Sequence, residues 1–314
     1  RMVSGPEAEA LQPGSTRKWK GALYTSADGR AEPSLAVPAM ARAAQKLGVK
    51  IFQGCAVRGI ETTGTRVTSI VTEKGVVACE QVVLAGGAWS RRFLHNLDIA
   101  FPQLTVVNSV MRTAALNAGV EKGCSGGKFA FRKRLDGGYT ISHRQVSVAD
   151  IMPDSFRLLR EFLPALRLNW SGLRLRVGKR FFDEARLKRR WQLDEHSPFE
   201  EVRMLDPEPI QAILDEAARS LKDYFPAFAA MEIVEKWAGA IDSTPYVVPV
   251  ISPLEKIAGL FLASGFSGHG FGLGPGAGKL MAQLVMGETP CVDPKPFRYS
   301  RYFDGSNPRP STGT

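Results

Sequence analysis

The chain has 314 residues, enough for about two domains and a sizeable hydrophobic core. Hydrophobic residues make up 44% and charged residues 23%, which excludes a disordered or fibrous chain. Forty-one Lys and Arg against 31 Asp and Glu give a net charge of +10; with no aromatics interleaved in a nucleic-acid motif, this reads as solvated surface, or as balance for acidic residues elsewhere, and predicts no nucleic-acid partner.

Arg1 opens the chain with neither an initiator methionine nor a signal peptide, as in a domain entered midway. Residues 1–30 are loop-rich, with turn signals at Gly5-Pro6, Pro13-Gly14 and Asp28-Gly29. Leu35, Ala36, Ala39, Met40, Ala43, Ala44 and Leu47 recur at helical spacing, and Gly48 stands where a helix-ending glycine belongs. A helix is predicted over 33–47, and a short strand over 49–53. Alternating runs at 66–72 and 75–79 predict an antiparallel meander within 55–80. Residues 81–90 read as a buried strand running into Gly86-Gly87, then a helix.

From residue 101 the character changes. Strands are predicted at 106–111, 128–132 and 139–142, the last two joined by Asp136-Gly137-Gly138. A helix after Pro153 carries Phe156, Leu159, Phe162 and Leu163, and residues 174–190 are strongly basic. Asp206-Pro207 is an N-cap and first-turn signature for a helix with Ile210, Ile213, Leu214, Ala217, Leu221 and Phe225 at helical spacing. Strand-like runs over 232–251 are broken by Pro245 and Pro249. A short apolar strand at 260–263 leads into a glycine-rich loop at 265–278 and a helix from near Pro275. No apolar run approaches the ~18 residues of a membrane span. Cys55, Cys79, Cys124 and Cys291 are scattered with no CxxC pair. That predicts no disulfide framework and no metal site, and suits the reduced thiols of a cytoplasmic protein.

The loop is the densest signal, because seven of residues 265–278 are glycine. Glycine contributes no side-chain packing; it permits positive φ and close backbone approach. Between a strand and a helix N-terminus, the free N–H groups suit an electron-rich carbonyl or a phosphate. The loop is not a P-loop, since Leu280 follows Gly278-Lys279. Leu273 stands where a dinucleotide fingerprint beginning at Gly268 needs its last glycine. The strand ending at Gly86-Gly87 lets a cofactor lie across the carboxyl end of a parallel sheet. Each motif alone also fits a tight structural turn.

Together the two motifs resemble the FAD-dependent amine and amino-acid oxidoreductases of the D-amino-acid oxidase superfamily, among them glycine oxidase, sarcosine oxidase and the bacterial D-amino-acid dehydrogenases. Residues 82–90 are similar to that family's strand beside the flavin, and 265–278 to its C-terminal flavin loop. Asp28-Gly29-Arg30, Lys46-Leu47-Gly48-Val49, residues 56–60 and residues 237–249 follow the same pattern. The resemblance implies an α/β fold in two parts. Residues 1–100 and 252–290 form a doubly wound FAD-binding domain, incomplete at its N-terminus. Residues 101–251 form an α+β substrate domain with a mainly antiparallel sheet, and 291–314 a C-terminal tail. The family's opening strand, Gly-x-Gly-x-x-Gly turn and helix have no counterpart here. A segment that holds the FAD pyrophosphate is therefore expected upstream or as a second chain.

For the cofactor, the resemblance implies the backbone of Val57 at the adenine, and Ala85, Gly86, Gly87 and Trp89 beside the flavin. It also implies Gly265, Ser267, Gly268, His269, Gly270, Phe271, Gly272, Leu273 and Gly274 in the flavin loop. Gly239 stands where sarcosine oxidases carry a flavin-bonding cysteine, so non-covalent FAD is expected. The substrate arginine of glycine oxidase falls near Ile241, and the lysine of sarcosine oxidases on Gly272. His269 stands at the flavin edge or fixes the loop by a hydrogen bond. Arg132 clamps a substrate carboxylate with its guanidinium fork, or is a solvated hairpin arginine. His143 on the paired strand and Tyr246 after the prolines are further substrate-side candidates, with core roles as the plainer alternative. The basic run at 186–191 is a solvated face, or docks another subunit or an anionic membrane surface.

The implied activity is oxidation of the C–N bond of an amino acid or secondary amine to an imine, which water hydrolyses. Oxygen or another acceptor takes the electrons. The alternative is a flavin-containing or non-catalytic subunit of a heteromeric amine or amino-acid dehydrogenase.

Overall fold

The computed structural model describes residues 1–144, 146–168 and 172–306. In chain order the first elements are β1 (Met2–Ser4), α1 (Gly5–Leu11), β2 (Gly21–Leu23), α2 (Pro33–Lys46), β3 (Val57–Thr63), β4 (Arg66–Thr72), β5 (Gly75–Ala78), β6 (Val82–Leu84) and α3 (Ser90–Asn96). Then follow β7 (Leu104–Thr113), β8 (Cys124–Gly126), β9 (Phe129–Lys133), β10 (Tyr139–Ser142), β11 (Ser147–Asp150), α4 (Pro153–Arg157), α5 (Leu159–Leu168), β12 (Leu173–Arg176), α6 (Lys179–Arg186) and α7 (Pro198–Glu201). The last are α8 (Gln211–Tyr224), β13 (Ile233–Ser243), β14 (Val250–Pro253), β15 (Leu260–Ser264) and α9 (Gly270–Met286).

The chain divides into two compact units. The first comprises Arg1–Ile51, Asn108–Ser147 and Asp206–Gly239; the second comprises Phe52–Val107, Val148–Leu205 and Ala240–Thr314. This differs from the division expected at residues 100 and 251. The chain passes between units inside β7 and inside β13, so no loop or proline marks those boundaries. Part of the expected tail, 307–314, lies outside the described residues.

In the first unit, β8, β9, β10 and β7 pair antiparallel in that order. The hairpin between β9 and β10 turns where Asp136 and two glycines predicted it. Gly137 has φ +83°, and the Asp136 carboxylate accepts the Gly138 N–H at 3.0 Å. Phe129, Phe131, Tyr139 and Ile141 alternate inward and meet Leu214, Ala217 and Leu221 of α8. Phe131 lies edge-on to Phe225 at 5.6 Å and to Tyr139 at 5.9 Å, contacts that add to simple burial. The Asp206-Pro207 signature does not start α8. Pro209 restrains the residue before it to extended backbone, and the helix begins at Gln211 after the extended Ile210.

In the second unit, β3, β4 and β5 form the expected meander, with β3 added to the two predicted runs. β14 pairs antiparallel and β6 pairs parallel with β15. Leu94, Phe101, Val250, Leu254, Leu260 and Leu262 fill the core beside them. The strand expected at 49–53 is not formed. Phe52 stays exposed, and among the described residues no neighbour supplies the ladder a strand needs. Among the described residues, no helix is long and apolar enough to cross a membrane.

Candidate functional site

Parallel pairing sets Leu260 opposite Val82 and Leu262 opposite Leu84, so both strands end at the same edge of the sheet. β15 runs straight into Gly265, and β6 reaches Gly86 one residue later, after Ala85. Gly87 has φ +52° and Gly265 φ +82°. A Cβ on Gly265 would lie 2.3 Å from Thr244 Cγ2, so the turn admits no side chain there. Ser267 and Gly268 continue at φ +52° and +88°. For Ser267 that conformation is strained, and its side chain offsets the strain locally. Its Oγ accepts the Thr244 N–H at 3.2 Å and donates to the Gly265 carbonyl at 3.2 Å.

α9 begins at Gly270 with His269 as N-cap, earlier than the expected start near Pro275. The second half of the glycine run is therefore helix rather than loop. At Gly272, Gly274, Gly276 and Gly278 an added Cβ would meet nothing within 4 Å. Gly270, Gly274 and Gly278, four apart, share the face toward the cavity, whereas Gly272 and Gly276 lie on the opposite side of the helix.

Strand ends, turn and helix line an open cavity of about 710 Å³, within the range of roughly 300–1,000 Å³ typical of small-molecule sites. Val83, Ala85 and Gly87 line it from β6 and its turn, and Ala240, Ile241 and Asp242 from β13. Phe266, Gly268, Gly270 and Gly274 line it from the glycine turn and the start of α9. Asp242 is the one ionisable side chain on this wall.

Asp242 holds the turn together. Its Oδ2 accepts the Gly265 N–H at 2.6 Å and the Ser264 hydroxyl at 3.1 Å. Gln103, buried to 2% exposure, donates to the Gly87 carbonyl at 3.0 Å and to Ser264 Oγ at 3.1 Å, while its Oε1 accepts the Arg91 N–H at 3.0 Å. Three chain segments are thereby locked around one half-buried carboxylate. Burial pushes the Asp242 pKa up, and its hydrogen bonds from Gly265 and Ser264 only partly oppose that. Sequence reasoning missed this residue. The available signal was its place beside Ile241, in the stretch already singled out at 237–249.

Of the expected cofactor residues, Ala85, Gly87, Gly268, Gly270 and Gly274 line the cavity. Gly86 and Gly265 shape the turns at its rim. Ser267, His269, Phe271, Gly272 and Leu273 belong to the same turn and helix without lining it. The His269 side chain makes no capping hydrogen bond, so the loop-fixing role has no bond to support it. Val57 opens β3 opposite Thr72 and packs on the core. Trp89 lies edge-on to Phe199 at 5.4 Å and lines a different cavity. Tyr246 stacks on Tyr302 at 5.8 Å.

The substrate-side candidates in the first unit are engaged within the protein. Arg132 Nη1 and Nη2 donate to the two oxygens of Glu32 at 2.6 and 3.0 Å. Those bonds hold the Glu32 carboxyl below its ordinary range despite burial. The fork expected to clamp a substrate carboxylate is closed on this one. His143 is buried, its Nδ1 accepting the Val146 N–H at 3.2 Å and its Nε2 3.8 Å from Glu216. Among the described residues, no group of His, Cys, Asp and Glu is placed to hold a metal ion.

Residues 1–284 match the family model described as FAD dependent oxidoreductase. The L-amino acid deaminase of Proteus myxofaciens, solved in complex with anthranilate, superposes with a TM-score of 0.92 at 33% identity, covering 96% of this chain and 67% of that one. A D-amino acid dehydrogenase of Bradyrhizobium diazoefficiens is 27% identical over 92% of this chain and 56% of its own length. A glycine oxidase of Pseudomonas aeruginosa is 25% identical over 93% and 65%. The chain thus spans less than two thirds of these two curated relatives.

Proposed function

The chain belongs to the FAD-dependent oxidoreductase family, and on that premise we propose that it serves the oxidation of the carbon–nitrogen bond of an amino acid, with L-amino acids as the first class of substrate. The observation that carries this reading is the glycine-walled cavity at the paired ends of β6 and β15. The preference for the L series rests on the likeness to the Proteus deaminase.

The residues fit a flavin. A planar ring needs backbone approach on one side, and Gly268, Gly270 and Gly274 offer it without side chains. It needs apolar walls, and Val83, Ile241 and Phe266 provide them. Among the described residues, no Cys, His or Tyr lines the cavity, which supports non-covalent binding. When bound, FAD would take hydride from the substrate α-carbon, and oxygen or another acceptor would take the electrons on.

The work of this chain is positioning. Asp242 fixes the Gly265 turn, and the apolar lining would give a bound ring a surface to pack against. The N-terminus of α9, whose first N–H groups have no partner within the helix, would supply donors to the electron-rich carbonyls of a bound flavin.

The pyrophosphate of FAD needs further donors. β6 pairs on one side with β15, and among the described residues its other edge has no partner. In the first unit, α2 buries none of its residues and exposes Leu35, Val37 and Met40. Both features support a dinucleotide-binding βαβ segment, upstream or on a second chain, as part of the working protein.

The test is to purify the natural protein and follow 2-oxo acid formation from L- and D-amino acids, with anaerobic bleaching of the flavin band. Bleaching and 2-oxo acid from the L series is expected. Turnover of the D series alone would overturn the stereochemical assignment, and a protein without flavin would overturn the whole reading. Flavin that remains in an acid-precipitated pellet would contradict non-covalent binding.

A further inference from the structure

The second unit contains another cavity, of about 130 Å³, room for several water molecules. Five arginines line it, Arg91, Arg92, Arg157, Arg180 and Arg189, against two carboxylates, Asp154 and Glu184. His95 completes the basic wall. These residues come from α3, α4, α6 and the segment after α6.

Asp154 organises the cluster. Arg91 Nε donates to its Oδ2 at 2.7 Å and Arg157 Nη1 to its Oδ1 at 2.9 Å, while Arg189 Nη2 stands 3.9 Å away. Burial pushes the Asp154 carboxyl up, but the arginines outweigh it and hold the group down at about 2. One carboxylate thus faces three guanidinium groups. Arg92 is taken by Glu184, and Arg180 by Asp150 at 2.7 Å. Among the described residues, Arg189 has no other ion pair and Arg157 has donors left over. Burial, and then Arg157, weigh against the charge on Arg189; burial, and then Arg189, weigh against protonation of His95. The cavity has positive charge in excess.

We propose that this cavity binds a phosphate-type oxyanion, free or as the phosphate group of an ester. A monocarboxylate needs one guanidinium fork. Arg157 and Arg189 instead approach from separate elements around one carboxylate, a surround suited to a tetrahedral dianion with several acceptor oxygens. The site is distinct from the glycine-walled cavity. Gly87 lines that one, whereas the next two residues, Ala88 and Trp89, line this one. The Arg91 N–H rests on Gln103, which also holds the Gly87 carbonyl, so an occupant here is mechanically tied to the strand end of the other site. The inference does not depend on the oxidoreductase reading.

The experiment uses the intact protein as purified, with inorganic phosphate as probe and sodium chloride at matched ionic strength as control. Phosphate should raise the thermal midpoint saturably beyond chloride, and Arg189→Gln should weaken the apparent affinity about tenfold or more. Arg157→Gln, on the other side of Asp154, is the second variant in case the first fails to fold, and phosphorus-31 line broadening on the unmodified protein is a further readout. Phenyl phosphate separates the sources: tighter binding than inorganic phosphate assigns the site to an ester, weaker binding to the free ion. A response equal to chloride, or one unchanged in a folded variant, would overturn the proposal.

Discussion

The Gly265 amide donates to the Asp242 carboxylate at 2.6 Å, and this bond fixes the turn that leaves β15 at the cavity. Asp242→Ala leaves the Gly265 N–H and the Ser264 hydroxyl without that acceptor. A loss of about 1–3 kcal/mol in unfolding free energy is expected by denaturant titration. A variant as stable as the parent would show the bond to be dispensable.

The same carboxyl makes stability depend on pH. Its folded pKa lies above the ordinary value of 3.8 because of burial. Between those two values the folded chain keeps a proton that the unfolded chain has lost. The contribution of Asp242 to stability is therefore greatest at low pH and falls as pH rises through the folded pKa. Asp242→Asn removes that slope, so the stability difference should shift in favour of the variant from about pH 4 toward neutrality. A difference constant over this interval would count against a raised pKa.

Gly278 lines the cavity from α9, and an added Cβ meets nothing within 4 Å. Gly278→Leu should therefore leave the helix intact, even gaining roughly 0.5–1 kcal/mol from the loss of a mid-helix glycine, while the side chain fills the cavity. Flavin content per chain should fall by at least about tenfold, read by absorbance against protein concentration. Gly270 is a poorer test, because its Cβ would press on Phe266 Cβ at 3.2 Å and disturb folding as well.

Val247 adopts φ +62° in the turn whose N–H bonds back to the Thr244 carbonyl at 3.2 Å. A β-branched residue there costs about 1–2 kcal/mol, against roughly 0.5–1 for the freedom of glycine in the unfolded chain. Val247→Gly should raise the unfolding free energy by up to about 1 kcal/mol. A clear loss would mean that the valine side chain makes contacts outweighing the strain.

Burial pushes the Cys124 thiol up to about 11, whereas Cys291 is exposed. Iodoacetamide at mildly alkaline pH should alkylate Cys291 first and Cys124 at least about tenfold more slowly. Peptide mapping by mass spectrometry reads the order, and equal rates would contradict the burial of Cys124.

The strand into Gly86-Gly87, the glycine run at 265–278, the meander and the Asp136-Gly137-Gly138 hairpin were legible because each is a local pattern. Period-two alternation, turn chemistry and glycine's tolerance of positive φ act over a few residues. The start of α9 was not legible, because glycine weakens a helix by propensity and tertiary packing overrides that preference at Gly270. The missing strand at 49–53 shows the converse, an apolar run with no partner to pair with.

Taken alone, the sequence determined the two glycine motifs, their place after apolar strands, and the family they indicate, since those depend on backbone conformations that neighbouring residues decide. Tertiary structure alone decided which side chains meet. Arg132 closes on Glu32, one hundred residues away, and Asp242 reaches Gly265 from another strand. The division into two units inside β7 and β13 is of the same kind. Such pairings leave no periodicity in the chain, because they depend on how separate elements pack and on burial that makes an unpaired charge too costly to leave.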